Sequence, residues 1–216
     1  MVADLHTHTN ASPDSELSFR DRVGLAAEAG IDTVALTDHM AVHDRLREPI
    51  ETVDGTTVVS GVELNCSTAA ARIDILGLFV DPGRMRERVG DRSVSDGATR
   101  RPPEMIEWIH DCGGAAMLAH PGRYDVDLAS LVAELEVAGL DGMEVRYPYD
   151  EYTFVSSETP EMPKTPIDRI ETIRHDCDLL PSGGSDCHGG EKTYVGTVTI
   201  DDAWVTAIEA RRHRYA

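Results

Sequence analysis

Two histidine-rich segments stand near opposite ends of this chain, Asp4-Leu5-His6-Thr7-His8 and Ser185-Asp186-Cys187-His188. Between them, Thr37-Asp38-His39, Gly61-Val62-Glu63 and Leu118-Ala119-His120 each set a His or Glu at or just past an apolar, β-like run. Imidazoles and carboxylates without paired thiols describe a catalytic metal site, because structural zinc sites are closed tetrahedra rich in Cys. In an extended strand His6 and His8 point to the same side, since side chains alternate. Asp4 is expected on that face too, placed to hold an imidazole tautomer. Glu63 ends the run VVSGVEL, where a carboxylate is costly unless it is paired with an Arg or bound to a metal. His120 precedes Pro121, which biases its backbone to extended, and Gly183-Gly184 permits a tight backbone before Asp186 and His188. Singly, each has an ordinary reading as a satisfied polar group. Jointly they point to one site.

Alternating strand-like and helix-like segments must deliver these groups. Val2–His8 reads as the first strand, and Ser18 opens a helix with Asp21 as its capping partner and Gly30 as its stop. Ile31–Thr37, Thr57–Leu64 and Ile73–Val80 are short β-rich runs. Pro102-Pro103 introduces a helix with Met105, Ile106 and Ile109 on one face, stopped by Gly113-Gly114. Strands at Ala115–Ala119, Gly142–Tyr147, Leu179–Gly184 and Val195–Ile200 alternate with helices at Leu128–Ala138, after Thr165-Pro166, and at Asp201–His213. Arg84–Arg101, polar and interrupted by glycine and serine, reads as a connection or small insertion. The alternation implies an α/β fold of parallel strands covered by helices. An open doubly wound sheet and a closed barrel both fit it. His8, His39, Glu63, His120 and Asp186 lie at the C-terminal ends of different strands, and a barrel brings such ends to one face.

Composition bounds the rest. The 216 residues are expected to form one domain, residues 1–216, because the outermost candidate ligands lie far apart in sequence yet share a site. No apolar run is long enough to span a membrane, and no basic-then-apolar leader stands at the N-terminus, so a cytoplasmic protein is expected. Thirty-nine acids against 20 bases give a net charge of −19, and only Lys164 and Lys192 among the bases are lysines. Such a surface argues against broad electrostatic binding of duplex DNA. It also fits a halophilic protein, in which high salt screens the self-repulsion, with an ordinary acidic protein as the other reading. Cys66, Cys112, Cys177 and Cys187 form no metal-type pair and are expected as reduced thiols, Cys187 as a small packing residue.

Taken in order, D-L-H-T-H, T-D-H, G-V-E, A-H-P-G-R-Y and G-S-D-C-H resemble the motifs of the PHP superfamily, named for polymerase and histidinol phosphatase. The resemblance runs from residue 4 to residue 190. It implies a distorted seven-stranded β/α barrel with up to three Zn, Mn or Fe ions at the C-terminal face. By motif, His6, His8, Glu63 and Asp186 would hold one ion, with Glu63 bridging to a second bound by His120. His39, His188 and Asp14, in Ala11-Ser12-Pro13-Asp14-Ser15, would hold a third. Phosphatase-like members carry V-H-I-L-G where this chain has Ile73-Asp74-Ile75-Leu76-Gly77. Asp74 then stands in for a His at the second ion and tilts the site toward Mn or Fe. The other reading is a weakened second site in which Asp74 is merely hydrogen-bonded.

The resemblance implies metal-dependent phosphoester hydrolysis by a hydroxide bridging two ions. Arg123 would clamp the phosphate, with Arg146 a second contact, and His188 or His39 would protonate the leaving group. Its H-P-G-R-Y segment is similar to that of the branch acting on nucleoside phosphates and on the 5′ ends of short RNA. The insertion that branch carries beside its substrate looks short here, which favours a smaller ester such as a sugar or amino-alcohol phosphate. Histidinol phosphate is one candidate within the same chemistry. A metal-dependent C–N bond hydrolase of amidohydrolase type is the rival from another class, and it would have little use for Arg123.

Overall fold

Seven strands follow one another around a nearly closed ring. The computed structural model describes residues 1–90, 100–149, 165–189 and 195–212. Within them the strands are β1 (Val2–Thr7), β2 (Thr33–Leu36), β3 (Ile50–Val53), β4 (Thr56–Ser67) and β5 (Arg72–Leu78). They continue with β6 (Ala115–Leu118), β7 (Gly142–Arg146), β8 (Leu180–Gly183) and β9 (Ile200–Asp201). The helices are α1 (Phe19–Glu28), α2 (Pro82–Gly90), α3 (Pro102–Asp111), α4 (Leu128–Val137), α5 (Ile167–Asp176) and α6 (Asp202–Arg212). The ring runs in the order β8-β7-β6-β5-β4-β2-β1; β3 pairs with β4 off this path, and β9 pairs with the start of β1. The ring closes beyond the end of β8, where Thr7 and Cys187 form a parallel bridge. There the His8 N–H donates to the Cys187 carbonyl at 3.0 Å and the Asp186 N–H to the His6 carbonyl at 2.8 Å. The α/β barrel expected from the placement of the candidate ligands is the fold observed. No helix among the described residues is long and apolar enough to cross a membrane.

The strands are not all parallel. Strand β5 runs antiparallel to both β4 and β6, whereas β1-β2-β4 and β6-β7-β8 are parallel sets. The turn between β4 and β5 is too short for a crossover helix, and it is pinned by the Thr68 hydroxyl accepting the Ala70 and Ala71 N–H groups. The reversal has a consequence for the site, because β5 begins where its neighbours end. Asp74, its third residue, therefore stands at the mouth of the ring. Glu63 is likewise not at a strand terminus but well inside the long β4.

Other differences are local. Residues 84–90 of the expected connection belong to α2, because Asp81 caps the Arg84 N–H at 2.9 Å, Pro82 opens the helix and Met85 is buried. Residues 91–99 of that connection lie outside the described residues. The strand expected at Val195–Ile200 shrinks to β9, since Gly196 turns the chain with φ +83°. Strand β3, too polar and short for its pattern to register, pairs through Ile50–Val53. Helix α1 starts as expected, with the Ser18 hydroxyl accepting the Asp21 N–H at 3.2 Å.

One apolar cluster lies between ring and helices, built on Val34, Leu36, Val62, Ile75, Leu118 and the inner faces of α1, α3, α4 and α5. A second joins Leu5, Ala35, Val59, Leu76 and Met117 to Val205 and Ile208 of α6, which packs across β1, β6 and β8. The β1–β2 register slips between Asp4 and Thr7. Such an irregularity re-aims side chains, so Asp4 does not serve the histidines as expected. Its carboxylate accepts backbone N–H groups from Ser185 at 2.9 Å, Gly196 at 3.1 Å and His6 at 3.3 Å. It ties the two ends of the chain together, and burial raises its pKa.

Candidate metal centre

The strand ends bring every candidate ligand to one mouth. His6 comes from β1, His8 and Asp14 from the segment after it, His39 from the segment after β2, Glu63 from β4, Asp74 from β5, His120 from after β6, and Asp186 and His188 from after β8. Four groups, His6, His8, Glu63 and Asp186, are all buried and oriented at one point. His6 Nε2 is 3.4 Å from Glu63 Oε2 and 3.3 Å from Asp186 Oδ1, and His8 Nε2 is 3.4 and 3.0 Å from the same two atoms. Ligands about 2.1 Å from a tetrahedral ion lie about 3.4 Å from one another, so these separations fit a coordination shell. His6 Nε2, His8 Nε2, His39 Nδ1 and Glu63 Oε2 are buried with no hydrogen-bond partner among the described residues. Orphaned polar atoms facing one point in the interior are costly unless an ion satisfies them. The donor set is nitrogen and oxygen only, which suits Mn, Fe or Zn.

Two further groups share these residues. Glu63, Asp74 and His120 form one, with His120 Nε2 3.1 Å from Glu63 Oε1 and 3.7 Å from Asp74 Oδ2. His8, His39 and His188 form the other. Asp14 stands at its exposed side, with Oδ2 3.2 Å from His188 Nε2 and 3.6 Å from His39 Nε2. Asp74 also accepts a hydrogen bond from the Asn65 amide, so its oxygens are divided between the two. Arg123 lies at the rim in a short 3-10 turn, Pro121–Arg123, with Nη1 3.8 Å from Asp186 Oδ2. Arg146 is exposed at the end of β7, while Glu144, two residues earlier, is buried in the cluster.

The imidazoles are held by groups whose importance the sequence alone concealed. His6 Nδ1 faces Glu144 Oε1 at 3.0 Å, and a carboxylate can only accept, so Nδ1 keeps a proton and the neutral ring turns its Nε2 lone pair to the centre. The other Glu144 oxygen accepts the His120 N–H at 2.7 Å. His8 Nδ1 is 3.0 Å from the Ser12 hydroxyl, which donates its single hydrogen to Asp38 and therefore accepts from His8. His188 Nδ1 donates to the Asp186 carbonyl at 2.8 Å. Glu144 carried the same signal as Glu63, a carboxylate in an apolar strand. The Ser12 and Asp38 roles needed the fold.

Two more features belong to the same frame. His120 adopts φ +27° and ψ 55°, not the extended backbone expected before proline. Its amide and ring are committed to Glu144, Glu63 and Asp74, and such over-determination is what holds a residue in a sparsely populated region. Arg22 of α1 is fully buried in place of an apolar stripe residue. It donates to the His8 and Cys187 carbonyls, each at 2.7 Å through Nη2, and through Nη1 to Cys187 Sγ at 3.0 Å. Cys187 is accordingly a buried packing residue at the seam.

The charges are coupled. Burial works against ionising His6 and His39, but Glu144, Asp186 and Glu63 hold His6 well above the usual range, and Glu63 with Asp14 lifts His39 to about 9. Burial and the His8 ring push His188 down to about 4. Burial also disfavours the Glu63 and Asp186 anions, yet the imidazoles around them keep both well below the ordinary carboxylate range. An ion taking the His39 lone pair must displace a proton below pH 9. Affinity for Mn²⁺ is therefore expected to rise with pH toward 9, about tenfold per unit for each proton released. Calorimetry in buffers of different ionisation enthalpy checks this, with at least one proton released per protein at pH 7.5. The sign reverses for the metal-free fold. The raised His39 pKa stabilises it fully below 6.5, and that contribution is lost as pH rises through about 9.

Comparison with known proteins agrees with this architecture. A protein of Methanocaldococcus jannaschii is 31% identical over 156 residues, 67% of this chain and 81% of that protein. A "probable phosphatase" of Shewanella frigidimarina is 30% identical over 158 residues, 63% of this chain and 61% of the relative, so the chain spans about six-tenths of that protein's length. A crystal structure from Bifidobacterium adolescentis, described as a candidate metal-dependent phosphoesterase, superposes with a TM-score of 0.71 at 21% identity. It covers 97% of this chain and 96% of that one, a likeness of fold. The sequence profile of the PHP domain matches residues 4–117. With more than half its length matched by that profile, and with the strands of the match forming one wall of the ring, this chain belongs to the PHP domain family.

Proposed function

We propose that this chain is a metal-dependent phosphoesterase that hydrolyses a small phosphate monoester. The carrying observation is the pairing of a buried cluster of orphaned imidazole and carboxylate atoms with a guanidinium at its rim. Two to three divalent ions, Mn, Fe or Zn, would be held by His6, His8, Asp14, His39, Glu63, Asp74, His120, Asp186 and His188. Bound there, they would supply Lewis acidity and a water whose pKa lies near 7. The protein's own part is orientation and charge. Glu144 and Ser12 fix the imidazole tautomers, so the ligand lone pairs are preorganised. Arg123, about one-third exposed, stands at the rim within reach of an incoming phosphoryl group and would neutralise charge that develops on the oxygens. His39 retains a proton up to about pH 9 when no ion takes its place, and it lies at the mouth, where a leaving oxygen departs. His188, pushed to about 4, is the better ligand and the poorer acid. The relatives named as probable phosphatases support this reading. The acidic surface, net −19, supports a small ester or a short nucleotide 5′ end over duplex nucleic acid, and operation at high salt.

The test is hydrolysis of p-nitrophenyl phosphate and of a panel of nucleotide, sugar and amino-alcohol phosphates after chelation and Mn²⁺ add-back. Arg123→Ala is expected to lower kcat/KM about a hundredfold while leaving bound metal unchanged. Undiminished kcat/KM in that variant rejects the phosphate clamp. Metal-loaded protein inert toward every phosphoester would transfer the assignment to C–N bond hydrolysis.

A further inference from the structure

Between Arg123 and Asp186 stands a hydroxyl that neither the ligand cluster nor the clamp accounts for. Tyr147, just past β7, is buried, with its ring packed edge-on against His120 at 5.4 Å and tilted against Tyr149 at 4.8 Å. Its hydroxyl donates to Asp186 Oδ2 at 2.8 Å and accepts from Arg123 Nη1 at 3.2 Å. The direct Arg123–Asp186 approach is 3.8 Å, beyond hydrogen-bonding range. Asp186 Oδ1 is the atom that faces His6 and His8.

We infer that Tyr147 is a positioning residue that keeps the Arg123 guanidinium from collapsing onto Asp186. This reasoning rests on the phosphoesterase reading only for what Arg123 does next. Arg and carboxylate groups at this separation close into a bidentate pair when nothing intervenes. Such a pair would occupy both Asp186 oxygens and turn the guanidinium edge away from the open mouth. The hydroxyl prevents it from both sides. Its hydrogen satisfies Oδ2, which leaves Oδ1 to the histidine cluster, and its lone pair holds Nη1 at arm's length. Packing of the buried ring against His120 and Tyr149 holds it in place, so the hydroxyl stays in the gap. Asp186 is thereby kept as a one-oxygen partner of the cluster, and Arg123 is kept off it at the rim.

Tyr147→Phe retains the ring and removes only the spacer. Mn²⁺ affinity measured by calorimetry is expected to fall about tenfold, the scale of losing a group that orients a ligand. Inorganic phosphate, titrated into the Mn²⁺-loaded protein, is expected to bind at least about tenfold more weakly. The decisive arm is the double variant Tyr147→Phe/Arg123→Ala, whose Mn²⁺ affinity should match that of Arg123→Ala alone, because no guanidinium remains to collapse. An equal loss of Mn²⁺ affinity with and without Arg123 would overturn the spacer role, since Tyr147 would then act on Asp186 alone. No change in Mn²⁺ or phosphate binding in Tyr147→Phe would overturn it as well. Circular dichroism melts confirm that each variant is folded, and the Mn²⁺ arm reads the spacer even if no phosphoester proves to be a substrate.

Discussion

Glu63→Gln is expected to remove metal from the centre and to reduce phosphoester hydrolysis by on the order of a thousandfold. Glu63, like His8, belongs to two of the three candidate groups, and it also touches the third. Its Oε2 lies 3.4 Å from both His6 Nε2 and His8 Nε2 and 2.9 Å from His39 Nδ1, while Oε1 lies 3.1 Å from His120 Nε2. Glutamine keeps this shape but replaces one oxygen with an N–H₂ group, a donor and not a ligand. The substitution also removes the negative charge that, with Glu144 and Asp186, sets the protonation of His6. Asp74→Asn is the matched control, because Asp74 enters only the group with Glu63 and His120. It should cost one ion, whereas Glu63→Gln costs at least two. Metal content after Mn²⁺ loading, together with hydrolysis rates, separates the cases. Glu63→Gln protein with full metal content and more than a tenth of the activity would contradict the shared-ligand assignment.

The spacing of His6 and His8, and the placement of His39, His120 and Asp186 at strand ends, were legible because strand periodicity and apolar runs are local properties. What lay beyond sequence was direction and register. Asp74 was visible as an acid in an apolar strand, but its approach to Glu63 depends on β5 running backwards, a fact fixed by pairing partners. Asp4 looked equivalent to His6 and His8 by alternation, yet a slip within β1 re-aims it to the backbone of Ser185 and Gly196. His120 was misjudged because the preference of a residue before proline is weaker than its hydrogen bond to Glu144 and its place beside Glu63. Glu144 and Arg22 were not singled out in the sequence: each is a charge among apolar neighbours, and only tertiary packing says whether it faces a metal, a carbonyl or water. In each case the missing information was which strand or helix stands opposite.

Gly184→Ala is expected to open the ring and so to disable the centre without altering a single ligand. Gly184 follows β8 where the ring closes on β1, and a Cβ there would lie 2.4 Å from the His6 backbone nitrogen and 2.5 Å from His6 Cβ. It would also lie 2.8 Å from Asp4 Oδ1. Backbone atoms cannot yield as a flexible side chain does, so the strands must separate. The seam they would leave is the one carrying the His8–Cys187 and Asp186–His6 hydrogen bonds, and Arg22 clamps the same carbonyls from α1. Asp186 and His188 are delivered to the mouth by this seam alone, while His6 and His8 stand on its other side. A cost of about 3 kcal/mol or more is expected, at the upper end for overpacking, because strand hydrogen bonds are lost together with packing. Denaturant melts of metal-free protein read that cost directly. Mn²⁺ should recover part of it, since the ion binds across the seam to His6, His8 and Asp186 and favours the closed ring. A Gly184→Ala protein as stable as wild type without metal, and equally able to bind Mn²⁺, would show that the ring does not depend on this close approach. The coupling runs both ways: a fold closed by two chain ends lets one bound ion act as a staple, and a methyl group at the seam as a wedge.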